Sequence, residues 1–275
     1  MSDMVPFRLL MSREEALKIV MNSVRPLGRT EQVPIDESCC RVIAKDVLAS
    51  SDVPPFDRAS MDGYAVKAED TLGASEFNPR KSSLAGILHA GESFTKTLKN
   101  GECVRIATGC PIPSGSDAVV MVEFTEEKTG AVSVFKAVLP GSNISPKGED
   151  MKKGDTILQS GELLTPAKVG ALAALGMAHV KVYEKPRVVV VPTGTEVSEV
   201  GSELKPGQIY DVNSYTLSAV LKTNGASVSK SPIVPDSLQQ LQTALASLLD
   251  HDLIIFSGGS SVGERDLLAK VIETK

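Results

Sequence analysis

The sequence predicts a multidomain chain that combines α+β and α/β architecture, and three observations carry this. At 275 residues the chain exceeds the usual size of one domain and has room for about two. Residues 52–141 hold short apolar runs separated by Gly, Pro, Ser and Asn, the texture of a β-rich module. From residue 187 onward, strand-like and helix-like stretches alternate, as they do in an open α/β sheet.

Composition narrows the class of protein. Hydrophobic residues make up 42% and charged residues 23%, which is ordinary for a globular protein. No window approaches the roughly 18 consecutive apolar residues that a membrane-spanning helix needs. The first residues lack a basic start followed by a long apolar run, so no secretion signal is read there. The net charge is −5 with no Lys/Arg cluster, which argues against nucleic acid or an anionic membrane as partner. Cys39, Cys40, Cys103 and Cys110 show no CxxC spacing and no nearby histidine, so a zinc site is not expected. A reduced, cytoplasmic setting is the simplest reading, with the Cys39-Cys40 pair ascribed to packing or chance.

In chain order, Ser12 and Glu15 make a capping box for a helix over 13–24, with Ala16, Ile19, Val20 and Val24 on one face. One amphipathic helix cannot bury its own stripe, so it must pack against something else. Residues 84–88, 103–107, 118–122 and 132–138 read as strands. The charged, Gly-bracketed segment 147–154 reads as a loop returning to the first module. Thr165-Pro166 opens a helix that runs to Leu175 and stops at Gly176. Residues 187–191 form a continuous β-branched run, the mark of a strand buried on both faces of a parallel sheet. A helix capped by Asn213 runs to Thr223 and ends at Asn224-Gly225. A strand over 227–234, a helix capped by Asp236 and running through Leu249, a strand over 253–256 and a helix over 266–273 complete the order. A helix after a strand normally leads to another strand, so the end is read as a truncation inside the α/β domain.

Two loops suit an anionic ligand. Pro192-Thr193-Gly194-Thr195-Glu196 follows the first strand of the α/β region, and Ser257-Gly258-Gly259-Ser260-Ser261-Val262-Gly263-Glu264-Arg265-Asp266 follows the last. Glycines let backbone N–H groups approach a phosphate, serines add donors, and a rim carboxylate such as Glu196 or Asp266 can hold Mg²⁺ against it. Each loop taken singly reads equally well as a tight turn. Both lie at strand ends of one sheet, as does Asp236, which favours a ligand site. Earlier, PPFDRASMDGYAV (54–66) reads as an extended segment, a polar turn carrying Asp57 and Asp62, and a strand entry; chemistry alone gives it no role. RIATGCPIP (105–113) reads as a strand ending in a Gly/Pro turn.

Together these segments resemble the molybdenum insertases, the molybdopterin molybdenumtransferase family that includes the C-terminal domain of gephyrin. The resemblance runs in order through PPFDRASMDGYAV, RIATGCPIPSGSDAVVMVE, GEDMKKGD, LGMAHVKVYEKPRVVVVPTGTEV, IVPD and SGGSSVGERD, nearly the whole chain from Ser12. It implies an elongated homodimer with three modules in this chain. Residues 1–51 and 142–183 would form a linker and dimerisation domain, 52–141 an inserted β-rich domain, and 184–275 a three-layer molybdopterin-binding α/β domain that is incomplete, with the family's C-terminal β domain absent. The implied reaction takes molybdopterin-AMP, exchanges adenylate for molybdate in a Mg²⁺-dependent step, and releases AMP and the molybdenum cofactor; molybdopterin adenylyltransferase is the implied partner enzyme.

Roles carry over by position. Asp236 and Asp266 match acidic positions of the Mg²⁺ and pyrophosphate chemistry, and Glu196 another of that cleft. Thr193, Gly194, Ser257, Gly258, Gly259, Ser260, Ser261 and Gly263 match the loops that cradle the pterin-nucleotide phosphates. Asp62, Thr108 and Asp150 match functional positions that face the partner's cleft across the dimer. The family's molybdate-holding basic residues lie beyond this chain. Two other readings stand beside the insertase. A molybdopterin adenylyltransferase-like enzyme has no need of PPFDRASMDGYAV. A non-catalytic dimeric scaffold, the role of gephyrin's related domain, has no need of the acidic set Glu196, Asp236 and Asp266.

Overall fold

The computed structural model describes residues 11–258 and 267–273. They fall into two compact units. One holds the residues up to Ala44, Gly161–Thr165 and those from His179 on; the other holds Lys45–Ser160 and Pro166–Ala178.

The first helix, α1 (Arg13–Ser23), starts at its predicted box: the Ser12 hydroxyl accepts from the Glu15 N–H at 3.2 Å and the Glu15 carboxylate accepts from the Ser12 N–H at 2.8 Å. None of its residues is buried; Leu17, Val20 and Met21 are all more than half exposed. Its apolar stripe is therefore uncovered among the described residues, and a helix this short draws its stability from packing. A strand, β1 (Thr30–Pro34), follows.

The second unit is built on one sheet of six strands: β2 (Gly63–Val66), β3 (Arg80–Leu88), β4 (Glu102–Ile106), β5 (Ala118–Met121), β6 (Thr125–Lys128) and β7 (Ala131–Val134). Their order is β5-β2-β4-β3-β7-β6, antiparallel throughout except for β3 beside β4. Side chains alternate between two buried faces. Ala65, Val104, Ile106 and Val119 pack with Leu88 and Leu98 on one; Tyr64, Val66, Cys103, Val120 and Val132 pack on the other. Two buried faces explain why these strands read as unbroken apolar runs. The charged β6, Thr-Glu-Glu-Lys, gave no such signal because it is an edge strand. The run over 132–138 is strand only as far as Val134. Segment 147–154 returns to residues 52–57: Met151 bridges Val53, and the Lys147 N–H donates to the Asp57 carboxylate at 2.7 Å. The unit closes with α2 (Pro166–Ala174), which ends at Gly176 in the left-handed conformation, φ 72°.

The remaining elements belong to the first unit. β8 (His179–Tyr183) pairs antiparallel with β1. Then come β9 (Arg187–Pro192), α3 (Asn213–Thr223), β10 (Ser227–Lys230), α4 (Leu238–Ser247), β11 (Leu253–Ser257) and α5 (Leu268–Glu273). The sheet order is β10-β9-β11, all parallel, with β9 at the centre. Val188–Val191 are each at most 2% exposed, as a strand covered on both faces requires.

Several local expectations are corrected. The carboxylate that holds the start of α3 is Asp211, which accepts from the Ser214 N–H at 3.0 Å, in place of Asn213, already the first helical residue. Ser237, not Asp236, occupies the N-cap of α4, and it makes no side-chain capping bond. Strand β10 stops at Lys230 because Pro232 lacks the N–H a ladder needs. Helix α5 is described from Leu268, and Asp266, its expected start, lies outside the described residues.

Arg29 ties three segments of this unit together. Its guanidinium donates to both carboxylate oxygens of Asp252, at 2.9 and 2.7 Å, and to Glu184 at 2.9 Å. Asp252 also accepts from the Arg187 N–H at 2.8 Å. The Arg29 hydrogen bonds, followed by the Arg187 N–H and opposed by desolvation, lower the Asp252 carboxyl from its ordinary 3.8 to about 2. A depressed folded pKa gives stability that is fully present above 3.8 and lost as pH falls through about 2. Asp252→Asn is therefore expected to flatten the acid limb of the stability–pH curve in that window while lowering stability at neutral pH. Acid titrations of both proteins followed by circular dichroism check this, and identical acid limbs would overturn it.

Candidate functional site

In the α/β unit the first strand in sequence is central and the next two lie on either side of it. Such a sheet has a switch point between the carboxyl ends of its first and third strands, here β9 and β11, where ligands bind. Thr193, Gly194, Ser257 and Gly258 stand at that point. The ladder carries on past the strands: the Thr193 N–H donates to the Ser257 carbonyl at 3.3 Å. Gly258 has φ 135°, and a Cβ there would lie 2.7 Å from both the carbonyl and hydroxyl oxygens of Thr193. The two loops thus touch backbone to backbone, which only glycine permits. The Ser257 hydroxyl oxygen is buried and has no hydrogen-bond partner among the described residues. A buried polar atom of this kind calls for a partner.

One carboxylate folds over this edge, and a second acidic residue follows close by along the chain. Gly194 also has φ 135°, and a Cβ on it would meet both Glu196 carboxylate oxygens at 2.8 Å, so the exposed Glu196 side chain folds back over Gly194. The chain leaving β10 returns beside β9, with the Val234 N–H donating to Pro192 at 2.9 Å and the Gly194 N–H donating to Val234 at 3.2 Å. That puts the half-buried Asp236 two residues beyond the contact. No group of three or more His, Cys, Asp or Glu poised to hold a metal ion occurs among the described residues. Mg²⁺ ordinarily takes one or two protein carboxylates plus substrate phosphates, so this donor set fits it as a shared ion. Gly259, Ser260, Ser261, Gly263 and Asp266 lie outside the described residues.

The β-rich unit has its own polar constellation. Asp62 accepts from the Thr108 N–H at 2.6 Å and from the Thr108 hydroxyl at 2.7 Å, joining the MDGY turn to the ATG turn. The backbone hydrogen bond from Thr108, then its hydroxyl, lowers the Asp62 pKa. Asp62 also lines a cleft of about 380 Å³ with Ile87, His89, Arg105 and Val122. Asp150 is not part of this pair. It is exposed and faces Arg58 at 3.7 Å, beside Ser145, which hydrogen-bonds Glu149.

The structure therefore brings together Thr193, Gly194, Ser257 and Gly258, with Glu196 over Gly194 and Asp236 close by, and separately Asp62 with Thr108. Sequence reasoning passed over Lys230. It pairs with Glu199 at 3.1 Å and Asp211 at 3.6 Å and lies 4.3 Å from the Tyr215 ring centre, fixing the segment after Glu196 to the sheet. It also passed over Arg58, His89 and Arg105. Lys230, Arg58 and Arg105 had no sequence signal because their partners lie far along the chain, and His89 none because only the fold sets it beside Asp62 in the cleft.

Residues 11–176 match the family model described as "MoeA N-terminal region (domain I and II)", and residues 189–275 match "Probable molybdopterin binding domain". Molybdopterin molybdenumtransferase 2 of Mycobacterium tuberculosis is 37% identical over 262 residues, covering 95% of this chain and 64% of that protein. The molybdopterin molybdenumtransferase of Haemophilus influenzae is 39% identical over 247 residues, 89% of this chain and 60% of that protein. Among solved structures, the molybdopterin biosynthesis moeA protein from Pyrococcus horikoshii superposes with a TM-score of 0.85 at 35% identity, covering 91% of this chain and 67% of that one. The chain thus spans three-fifths to two-thirds of the length of these relatives. Two adjoining family models, a matching fold and a glycine-lined strand-end site lead to one assignment: the chain belongs to the MoeA family.

Proposed function

We propose that this chain serves molybdenum insertion: it binds adenylylated molybdopterin at the carboxyl ends of β9 and β11 and supports exchange of adenylate for molybdate, releasing AMP and the molybdenum cofactor. The observation that carries this reading is the glycine contact of Gly258 on Thr193 beside the Ser257 hydroxyl, which has no partner among the described residues, an edge suited to close approach of an anionic group. Thr193, Gly194, Ser257, Gly258, Gly259, Ser260, Ser261 and Gly263 cradle the pterin-nucleotide phosphates through N–H and hydroxyl donors. Glu196, Asp236 and Asp266 would hold Mg²⁺. The ion, when bound, neutralises charge developing on the phosphate oxygens. Donors fixed beforehand stabilise that charge without reorganising during the reaction.

In this reading the protein is a cytoplasmic homodimer supplied by molybdopterin adenylyltransferase, with 1–51 and 142–183, 52–141, and 184–275 as its modules. Among the described residues no helix is long and apolar enough to cross a membrane. Asp62, held by Thr108, and Asp150 act on the partner's cleft. The uncovered stripe of α1 supports a second copy as its cover. Val20→Glu is expected to shift the protein to monomer in sedimentation velocity with the helical content kept; an unshifted dimer would remove α1 from the interface.

The function is tested by AMP release from adenylylated molybdopterin with molybdate and Mg²⁺, alongside direct binding of molybdopterin. Asp236→Ala is expected to lower release by about a hundredfold, the scale of losing one charge-stabilising group, with binding largely retained. Binding without release confines this chain to the substrate-holding part of the reaction. Absence of both would defeat the site.

A further inference from the structure

The thiols of Cys39 and Cys40 take no part in the chemistry above. Both are exposed, and their sulfurs lie 3.9 Å apart. They fill the middle of a turn closed by the Arg41 N–H donating to the Ser38 carbonyl at 3.0 Å, and the Cys40 N–H is anchored on the Leu164 carbonyl at 2.8 Å. Ser38 beneath them is fully buried, and its hydroxyl donates to Ile35 at 2.6 Å. Cys40 sits at φ 62°, the backbone region that glycine fills without strain. A fixed turn thus presents two sulfurs side by side to solvent. The other two cysteines are out of reach: Cys103 and Cys110 are fully buried in separate clusters.

The spacing suits one soft centre. Two sulfurs bound at about 2.3 Å by a single pyramidal three-coordinate centre stand about 3.5 Å apart, so bridging the 3.9 Å pair needs little more than side-chain rotation. A disulfide between neighbours is harder to close, because adjacent Cα atoms are about 3.8 Å apart and disulfides ordinarily span about 4.4 Å or more. Among the described residues no third or fourth ligand is gathered to complete a zinc-type set. The site therefore favours a centre that two protein sulfurs satisfy.

We propose that Cys39 and Cys40 form a dithiol site for trivalent arsenicals, thiophilic centres that take two protein sulfurs and keep their own third substituent. With phenylarsine oxide, two As–S bonds form, the two thiol protons leave with the oxo oxygen as one water, and arsenic stays trivalent.

The test uses the whole reduced chain, phenylarsine oxide, an excess of glutathione and intact-mass spectrometry. One phenylarsenic adduct per chain is expected, protecting both exposed thiols from maleimide and released by dithiothreitol. Cys39→Ser and Cys40→Gly should each lower the retained adduct at least tenfold, since a single thiolate exchanges with glutathione. Cys40→Gly keeps the turn, because glycine adopts φ 62° freely, so its loss of adduct is not a loss of fold. A wild-type chain that keeps no adduct, or an adduct that survives in either variant, overturns the assignment.

Discussion

Gly63→Ala is expected to destabilise the β-rich unit by about 3 kcal/mol or more, at the upper end of what overpacking costs. A Cβ at Gly63 would lie 2.0 Å from the Val120 carbonyl oxygen and 2.8 Å from its carbon. Strand β2 cannot retreat, because it is hydrogen-bonded to β5 on one side and β4 on the other. The contact is with backbone, so no side-chain rotation relieves it. Gly63 also follows Asp62 directly, so displacing β2 should loosen the Asp62–Thr108 pair. Gly170→Ala provides the comparison. It lies in α2 of the same unit with open space at its Cβ position, and alanine should stabilise the helix there by up to about 1 kcal/mol. The chain has no tryptophan, so denaturant melts followed by circular dichroism are the measurement. Equal midpoints for the two variants would show that the β2–β5 approach is looser than described.

Gly258→Ala is expected to abolish the proposed molybdopterin binding and to cost the α/β unit about 2–3 kcal/mol, the sum of an overpacked contact and a strained backbone. The added carbon would lie 2.7 Å from two Thr193 oxygens, and φ 135° is a conformation that L-residues rarely adopt. Relief requires the end of β11 to move away from β9, which opens the edge where the phosphates are proposed to sit. Ser257→Ala separates the two effects. It removes the hydroxyl without adding bulk, so it should weaken binding while leaving the fold as stable as before or slightly more so, since that oxygen has no partner among the described residues. Calorimetric binding of molybdopterin together with thermal melts decides between them. Full binding by Gly258→Ala would remove this edge from the site.

The fold and the family were legible for local reasons. The Ser12–Glu15 box fixed the start of α1 to the residue, and the β-branched run over 187–191 announced a buried central strand. Signals failed where two neighbouring polar residues competed for one cap or where a charged edge concealed a strand. Asp211 displaced Asn213 as the residue holding α3, and β6 drew no strand assignment at all.

Residue by residue, the sequence alone determined the starts of α1 and α2, the buried strands of both units, the alternation of strand and helix after residue 187 and the family, since capping and periodicity act within a few positions of the chain. Only the tertiary structure decided why particular residues stand where they do. It joined Asp62 to Thr108, 46 positions apart, laid Gly258 on Thr193, and gave Gly63 its reason in the Val120 carbonyl. Those contacts depend on strand register and order, which the packing of both sheet faces sets and which no short window of sequence encodes.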